Sequence, residues 1–237
     1  MAVDIQVAAC KDDLCATLMG VDISVPARIA GRKTPHAETY TISHLLSTLA
    51  EGDFLSYPLS VTHRDRPDFL IEGVASKIGV EVTEAISQQY AAYCALAERE
   101  FPDIFLEPAH FRWGAPILTV EDMRDLLRQS QLTSNGRIGS CPEQEWALYI
   151  QSAVDTKLMK LARPDFGKFD HNWLSIYDNL PLPNLHIGNA ITILKPLLHD
   201  RWSIVPTFDT LFIEHGPVIA KITACGSALL ILNDLWE

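Results

Sequence analysis

Residues 66–93 limit the folds open to this chain more than any other stretch. Within them, the run KIGVEVT over residues 77–83 has the period-2 alternation of a strand with one apolar face, because successive side chains of a strand point to opposite sides. The apolar face consists of Ile78, Val80 and Val82. The polar face carries Lys77, Gly79, Glu81 and Thr83. One face of this strand is therefore predicted to pack in a core, while the other presents chemistry.

The same stretch predicts a β-hairpin followed by a helix. A first extended run covers residues 68–72 and is joined to the second through Gly73. Thr83 is a plausible N-cap, so a helix is predicted over residues 84–101, with an apolar stripe that includes Tyr90 and Tyr93.

Helices and strands alternate along the rest of the chain. Helices are predicted from Thr34, over 119–130 and from Ser140, and strands over 54–62, 172–178, 208–215, 218–223 and 228–232. Residues 184–198 fit either a short helix or irregular chain. Residues 1–33 lack periodicity and are predicted to form an N-terminal arm with a short strand near residues 4–8. The expected fold is α/β, with a mixed central sheet flanked by helices in a single domain over residues 34–237.

Composition indicates a globular protein of the cytoplasm. Of the 237 residues, 48% are hydrophobic, which is enough for a buried core. No window approaches the ~18 continuous apolar residues of a membrane span, and the N-terminus carries acids where a signal peptide has basic residues. The five cysteines are scattered without a CxxC pair, which argues against a disulfide framework and a zinc site.

The net charge of −11 opposes non-specific attraction to nucleic acid, because phosphate binding depends on Lys and Arg. A nucleic-acid partner would need a local basic patch. The run Arg28, Arg32 and Lys33 is one modest candidate, and it also fits a solvated loop. An acidic surface suits a basic protein partner as well.

Asp68 and Glu81 lie thirteen residues apart on the two strands of the predicted hairpin. Two carboxylates at one edge of a sheet suit Mg²⁺, which prefers oxygen ligands and is commonly held by one or two acids plus a substrate phosphate. The alternative is that Asp68 closes a turn and Glu81 faces solvent. The string RPDF also recurs at 163–166 without an acid-bearing strand after it. The tetrapeptide alone is therefore a weak signal, and the first copy indicates a metal site only together with the strand, hairpin and helix around it.

The strings RPDFLI and IGVEVTE, in this strand–hairpin–strand–helix context, resemble the PD-(D/E)xK restriction-endonuclease-like superfamily, and in particular uncharacterised bacterial proteins of that fold. The resemblance implies a Mg²⁺-dependent nuclease with Asp68 and Glu81 as metal ligands and a backbone carbonyl from Val82. Glu38, on the helix from Thr34, would match an additional acid that many members carry. Its alternative is an acid favoured near the positive end of a helix.

The chain departs from that pattern at Thr83, which stands where the family has lysine and cannot act as a cation. Lys77 is on the same face of the strand, but its Cα is expected roughly 13 Å from that of Glu81. Glu84 is a further candidate metal ligand, and Gln88 would follow it by one helical turn. The missing lysine leaves open a second hypothesis, a catalytically inactive nuclease-like binding or immunity protein.

One exonuclease branch of the superfamily has a Gln-x-x-x-Tyr spacing. Gln89 and Tyr93 fit this spacing, so the resemblance implies that they contact substrate, and Gln88 is a further candidate because it would face the same way as Glu84. The alternative is an ordinary solvated helix face.

Overall fold

The computed structural model describes residues 3–129 and 139–236, and its strands form a mixed sheet in which they lie side by side in chain order. They are β1 (Ile5–Ala8), β2 (Leu59–His63), β3 (Phe69–Gly73), β4 (Lys77–Ala85), β5 (His171–Asp178), β6 (Thr210–His215), β7 (Val218–Thr223) and β8 (Gly226–Ile231). β4, β5 and β6 are parallel to one another, and the other neighbouring pairs are antiparallel. The predicted α/β class with a mixed sheet is confirmed.

Helices cover both faces of this sheet. They are α1 (Lys11–Met19), α2 (Thr34–Glu51), α3 (Gln88–Glu100), α4 (Val120–Gln129), α5 (Cys141–Leu161) and α6 (Ile187–Leu197). One apolar cluster joins α1 and α2 to the sheet, a second joins α5 and α6 to it, and α3 packs on α4 in a third. Ser130, the last residue of the helix predicted over 119–130, lies outside the described residues. In the described parts of the chain, no helix is both long and apolar enough to span a membrane.

The alternation predicted for β4 decides which way its carboxylate points. Val80 and Val82 belong to the apolar cluster shared with α1 and α2. Ala85, of opposite parity, belongs to the cluster shared with α5 and α6. Glu81 has the parity of Ala85, so it lies on the α5 side of the sheet, and it is buried.

The prediction that Thr83 caps a helix beginning at Glu84 is wrong. β4 continues to Ala85 because it pairs in parallel with β5 as far as Asp178. The helix begins at Gln88, and the hydroxyl of its N-cap, Ser87, accepts from the N–H of Tyr90 at 3.4 Å. Glu84 is therefore a strand residue, and Gln88 does not follow it by one helical turn.

Two other segments can be compared with their predictions, one strand and one stretch for which two structures were possible. The strand predicted over 54–62 is shorter, because β2 begins only after Pro58. Residues 187–197 are the helix α6, which decides between the two possibilities left for that stretch.

The N-terminal residues contribute to the sheet and the core. The short strand predicted near residues 4–8 is β1, which pairs with β2. The helix α1 was not predicted, because residues 1–33 show no clear apolar periodicity. Two of its five apolar residues, Leu14 and Leu18, are fully buried in the cluster with α2.

Leu18→Ala is expected to lower the free energy of unfolding by about 2 to 5 kcal/mol, because it leaves a cavity in a closed core. The exposed Val7, also in the first 20 residues, provides the control: Val7→Ala is expected to change stability by less than about 0.5 kcal/mol. Urea denaturation measures both. Equal effects of the two substitutions would mean that α1 is not part of the cooperative core.

Candidate active site

The site lies where β4 extends past its neighbour. β3 pairs with β4 only as far as Val80, whereas β5 pairs with β4 up to Ala85. Within the described sheet, the β3-side edge of residues 81–85 therefore has no strand partner. A cavity of about 610 Å³ lies at this edge, bordered by residues of β4, α2, α5 and the turn before β3.

The backbone of Val82 at this open edge is bonded by side chains instead of a strand. Its N–H donates to Oδ2 of Asp68 at 2.7 Å, and its carbonyl accepts from Nζ of Lys157 at 2.7 Å. Buried backbone polar groups need such partners. The same two hydrogen bonds hold the carboxylate of Asp68 and the ammonium of Lys157 at the open edge beside Val82.

Lys157 is a lysine that sequence reasoning missed. It lies on α5, and its Nζ also donates to Oε1 of Glu81 at 2.6 Å in a pair whose side chains are only 11% and 5% exposed. A cation thus stands beside the second acid although Thr83 occupies the family's lysine position. Lys157 does have a sequence signal, because it falls on the apolar stripe of α5 between Val154 and Leu161.

Burial and charge both act on Asp68. Desolvation, and then the nearby charge of Glu81, raise the pKa of the Asp68 carboxyl from 3.8 to about 7, with a smaller contribution from Glu38. The N–H of Val82 and the ammonium of Lys157 act in the opposite direction. Since one lysine does not offset two buried carboxylates, additional positive charge at this point would favour the ionised form of Asp68.

A hard divalent cation fits these donors. Oε2 of Glu81 is buried, and no hydrogen-bond partner for it exists among the described residues. Such an oxygen, beside the carboxylate of Asp68, suits Mg²⁺, for which one or two protein acids plus water and phosphate suffice. No group of three or more His, Cys, Asp or Glu side chains able to hold a metal occurs in residues 3–129 and 139–236. The site therefore resembles a two-carboxylate magnesium site more than an all-protein cage.

Glu38 and Glu84 also line the cavity. Oε2 of Glu38 lies 3.4 Å from Nε2 of His63. Oε1 of Glu84 accepts from Arg28 and Arg32 at 3.2 Å each, and from Asn179 at 2.6 Å. Glu38 contributes to the raised pKa of Asp68, whereas Glu84 is bonded to two arginines at the cavity wall.

The structure separates the two remaining candidates on β4. Thr83 lines the cavity. Lys77 lies at the opposite end of the strand, where it pairs with Glu72 at 2.5 Å, and it is not among the described residues that line the cavity. On this face of β4, Thr83 therefore lies at the cavity and Lys77 lies away from it.

The three candidates on α3 do not meet the carboxylates. Gln88 is exposed. Oε1 of Gln89 accepts from the N–H of Leu118 at 2.8 Å, and Tyr93 is buried against Phe111. None of the three is among the described residues that line the cavity. Gln89 and Tyr93 instead hold α3 against its neighbouring segments.

Basic side chains are numerous around the cavity although the chain carries a net charge of −11. They come from the segment before α2, the turn before β3, and the C-terminal part of α5 with the turn after it. They are Arg28, Arg32, Lys33, Arg66, Lys157, Lys160 and Arg163. Seven basic side chains therefore line the cavity together with five acidic ones, which are Glu38, Asp65, Asp68, Glu81 and Glu84.

The second RPDF copy, at 163–166, also lies at this cavity. Arg163 and Phe166 line it, and Asp165 pairs with Arg66 of the first copy. The N–H of Gly167 donates to the carbonyl of Arg66 at 3.3 Å. The two copies thus tie the turn before β3 to the turn after α5.

Comparison of the chain with protein-family models, curated proteins and solved structures gives no match.

Proposed function

We propose that this protein is a Mg²⁺-dependent nuclease that hydrolyses phosphodiester bonds of nucleic acid in the cavity at the open edge of β4. The observation that carries the proposal is the placement of Lys157 beside Asp68 and Glu81, at the strand edge where Asp68 and Lys157 both bond the backbone of Val82. Two acids and a lysine in this arrangement are what the PD-(D/E)xK resemblance requires, with the lysine supplied by a helix instead of by β4.

Asp68 and Glu81 would hold the metal, with the buried, unpartnered Oε2 of Glu81 as one ligand atom. When bound, Mg²⁺ makes coordinated water a better nucleophile and offsets charge on the phosphate. Lys157 acts to lower the pKa of Asp68, so the protein's own cation favours the ionised form of that carboxyl.

Lys157 would act on the reacting groups through its remaining N–H. An ammonium has three donors, and two of these are used by Glu81 and Val82. The third is left for an attacking water or for a phosphate oxygen, where a fixed cation stabilises developing negative charge. Water adds to phosphorus, the bond from phosphorus to one ester oxygen breaks, and that oxygen takes up a proton.

Arg28 and Arg32, which also line the cavity, would bind substrate. Glu84 holds Arg28 and Arg32 in place while leaving most of their donors free, since each arginine carries five. Fixed guanidinium groups favour phosphate oxygens.

The competing function is an inactive binding protein. Its support from sequence was the missing lysine on β4, and Lys157 supplies a cation at that place. The overall charge of −11 is the feature that still suits a basic protein partner.

The test is cleavage of end-labelled DNA and RNA oligonucleotides, single-stranded and duplex, with Mg²⁺ or with EDTA. We expect Mg²⁺-dependent products, and a loss of at least about 100-fold in Glu81→Gln. Glu72→Gln is the matched control, because Glu72 pairs with Lys77 away from the cavity and should leave the rate unchanged.

The nuclease proposal would be abandoned if the wild type cleaved none of these substrates with Mg²⁺ or Mn²⁺ and calorimetry detected no metal binding. A basic protein that co-purifies would then favour the binding function.

The five cysteines are free thiols, which suits the reducing cytoplasm, and we propose that compartment for the protein.

A further inference from the structure

Lys160 and Arg163 are two of the four basic residues of the cavity wall that the chemistry described above does not use, the other two being Lys33 and Arg66. Both are exposed and line the cavity. Arg28 and Arg32 pair with Glu84, whereas neither Lys160 nor Arg163 has an ion-pair partner within the described residues. Unpaired cations that share a cavity with a carboxylate pair are available to an anionic ligand.

These two residues continue a row that starts at the site itself. Lys157, Lys160 and Arg163 follow one another at intervals of three, and the N–H of Arg163 still donates to the carbonyl of Lys160 at 3.0 Å. Residues three apart on a helix have Cβ atoms about 5 to 6 Å apart on one face. The row thus leads from the proposed reacting phosphate along the C-terminal part of α5 to the turn after it.

The size of the cavity restricts the form of the nucleic acid. A compact space of 610 Å³ is roughly 10 Å across, which is less than the width of about 12 Å of the major groove of B-form DNA alone. The turns that carry the two RPDF copies are tied together beside it by Arg66 and Asp165. A cavity of this volume is too small to enclose a duplex, whereas a segment of one strand fits in it.

We propose that the substrate of the proposed nuclease is a single-stranded polynucleotide, or a single-stranded end, that runs along α5 with its neighbouring phosphates on Lys160 and Arg163. This inference rests on the proposed nuclease function and adds to it the form of the substrate and its path. Lys160 and Arg163 are binding residues here, and Lys157 is the residue at the reacting phosphate.

The test compares Lys160→Ala/Arg163→Ala with the charge-matched control Lys11→Ala/Lys195→Ala, whose side chains lie on α1 and α6 outside the cavity. The substrates are single-stranded DNA, single-stranded RNA and blunt duplexes of the same sequence. For single strands, we expect the first pair of substitutions to raise KM about 10- to 100-fold with kcat within about threefold of the wild type. The control pair should behave like the wild type.

A salt titration adds a measurement, the salt dependence of binding, that a purely structural effect of the substitutions would leave unchanged. The slope of log affinity against log salt is expected to fall by about 1.4 in the first double variant, at about 0.7 for each lost phosphate contact to a single strand. Binding is followed by fluorescence anisotropy of a labelled oligonucleotide on a Glu81→Gln background with Mg²⁺.

The outcomes separate the two proposals. Blunt duplex cleaved as efficiently as single strands would overturn the inference and leave the nuclease function in place, as would an unchanged KM in Lys160→Ala/Arg163→Ala. No cleavage of any substrate would overturn the nuclease function, and anisotropy would still decide the path. Single-strand binding that depends on Lys160 and Arg163 supports that path, and binding that does not depend on them refutes it.

Discussion

Lys157→Met is expected to lower kcat about 100- to 1,000-fold while Mg²⁺ binds at least as tightly as to the wild type. The substitution removes the ammonium that donates to Glu81 and Val82, so the charge on the reacting phosphate loses a fixed cation. It also frees Oε1 of Glu81, which raises the attraction of the carboxylate pair for a metal. Steady-state kinetics and calorimetry measure the two quantities separately.

The same substitution is expected to lower the stability of the metal-free protein by about 3 to 5 kcal/mol, because it leaves the buried carboxylate of Glu81 without its partner. Lys157→Arg retains the charge and should fold more readily, with kcat still reduced because a planar guanidinium does not reproduce the lysine geometry. If both variants turned over substrate within about threefold of the wild type, Lys157 would have only a structural role.

Asp68→Asn is expected to abolish Mg²⁺-dependent activity and, without metal, to make the protein more stable at pH 8. Asn keeps an oxygen that can accept from the N–H of Val82 at the position where Asp68 accepts at 2.7 Å. It removes a charge that burial and Glu81 disfavour. With the pKa of Asp68 raised from 3.8 to about 7, the gain in unfolding free energy at pH 8 is about 2 to 4 kcal/mol.

The sign of the pH dependence follows from that raised pKa. The folded state holds the proton on Asp68 more tightly than the unfolded state, so the stabilisation is complete below pH 3.8 and is lost as pH rises towards 7. Denaturant unfolding in EDTA should therefore show the advantage of Asp68→Asn growing by about 2 to 3 kcal/mol from pH 5 to pH 8, with little further change above it.

The second RPDF copy supplies the matched control. Asp165 occupies the same place in its tetrapeptide as Asp68, yet its side chain is 54% exposed and pairs with Arg66. Asp165→Asn should retain Mg²⁺-dependent activity and show no comparable pH-dependent gain in stability. If Asp68→Asn were instead less stable than the wild type at pH 8, the account of a strained carboxylate pair would be wrong.

Short-range patterns in the sequence were enough to predict the carboxylate half of the site. Strand alternation placed Glu81 on the face of β4 opposite to that of Val80 and Val82. The hairpin through Gly73 brought Asp68 close to Glu81. Both follow from contacts between residues fewer than 20 positions apart. The helix start was misplaced by four residues, because only parallel pairing with the distant β5 shows that the strand continues to Ala85.

The cationic half was decided by tertiary structure. Lys157 is 76 residues from Glu81 in the chain, and the two meet because the apolar stripe of α5 packs on the same face of the sheet that Glu81 occupies. Glu84 likewise holds Arg28 and Arg32 across more than 50 residues. By itself the sequence determined the α/β class and the acids at adjacent strands, because backbone periodicity is local. The partners of those acids depend on how helices dock on the sheet, which no local pattern encodes.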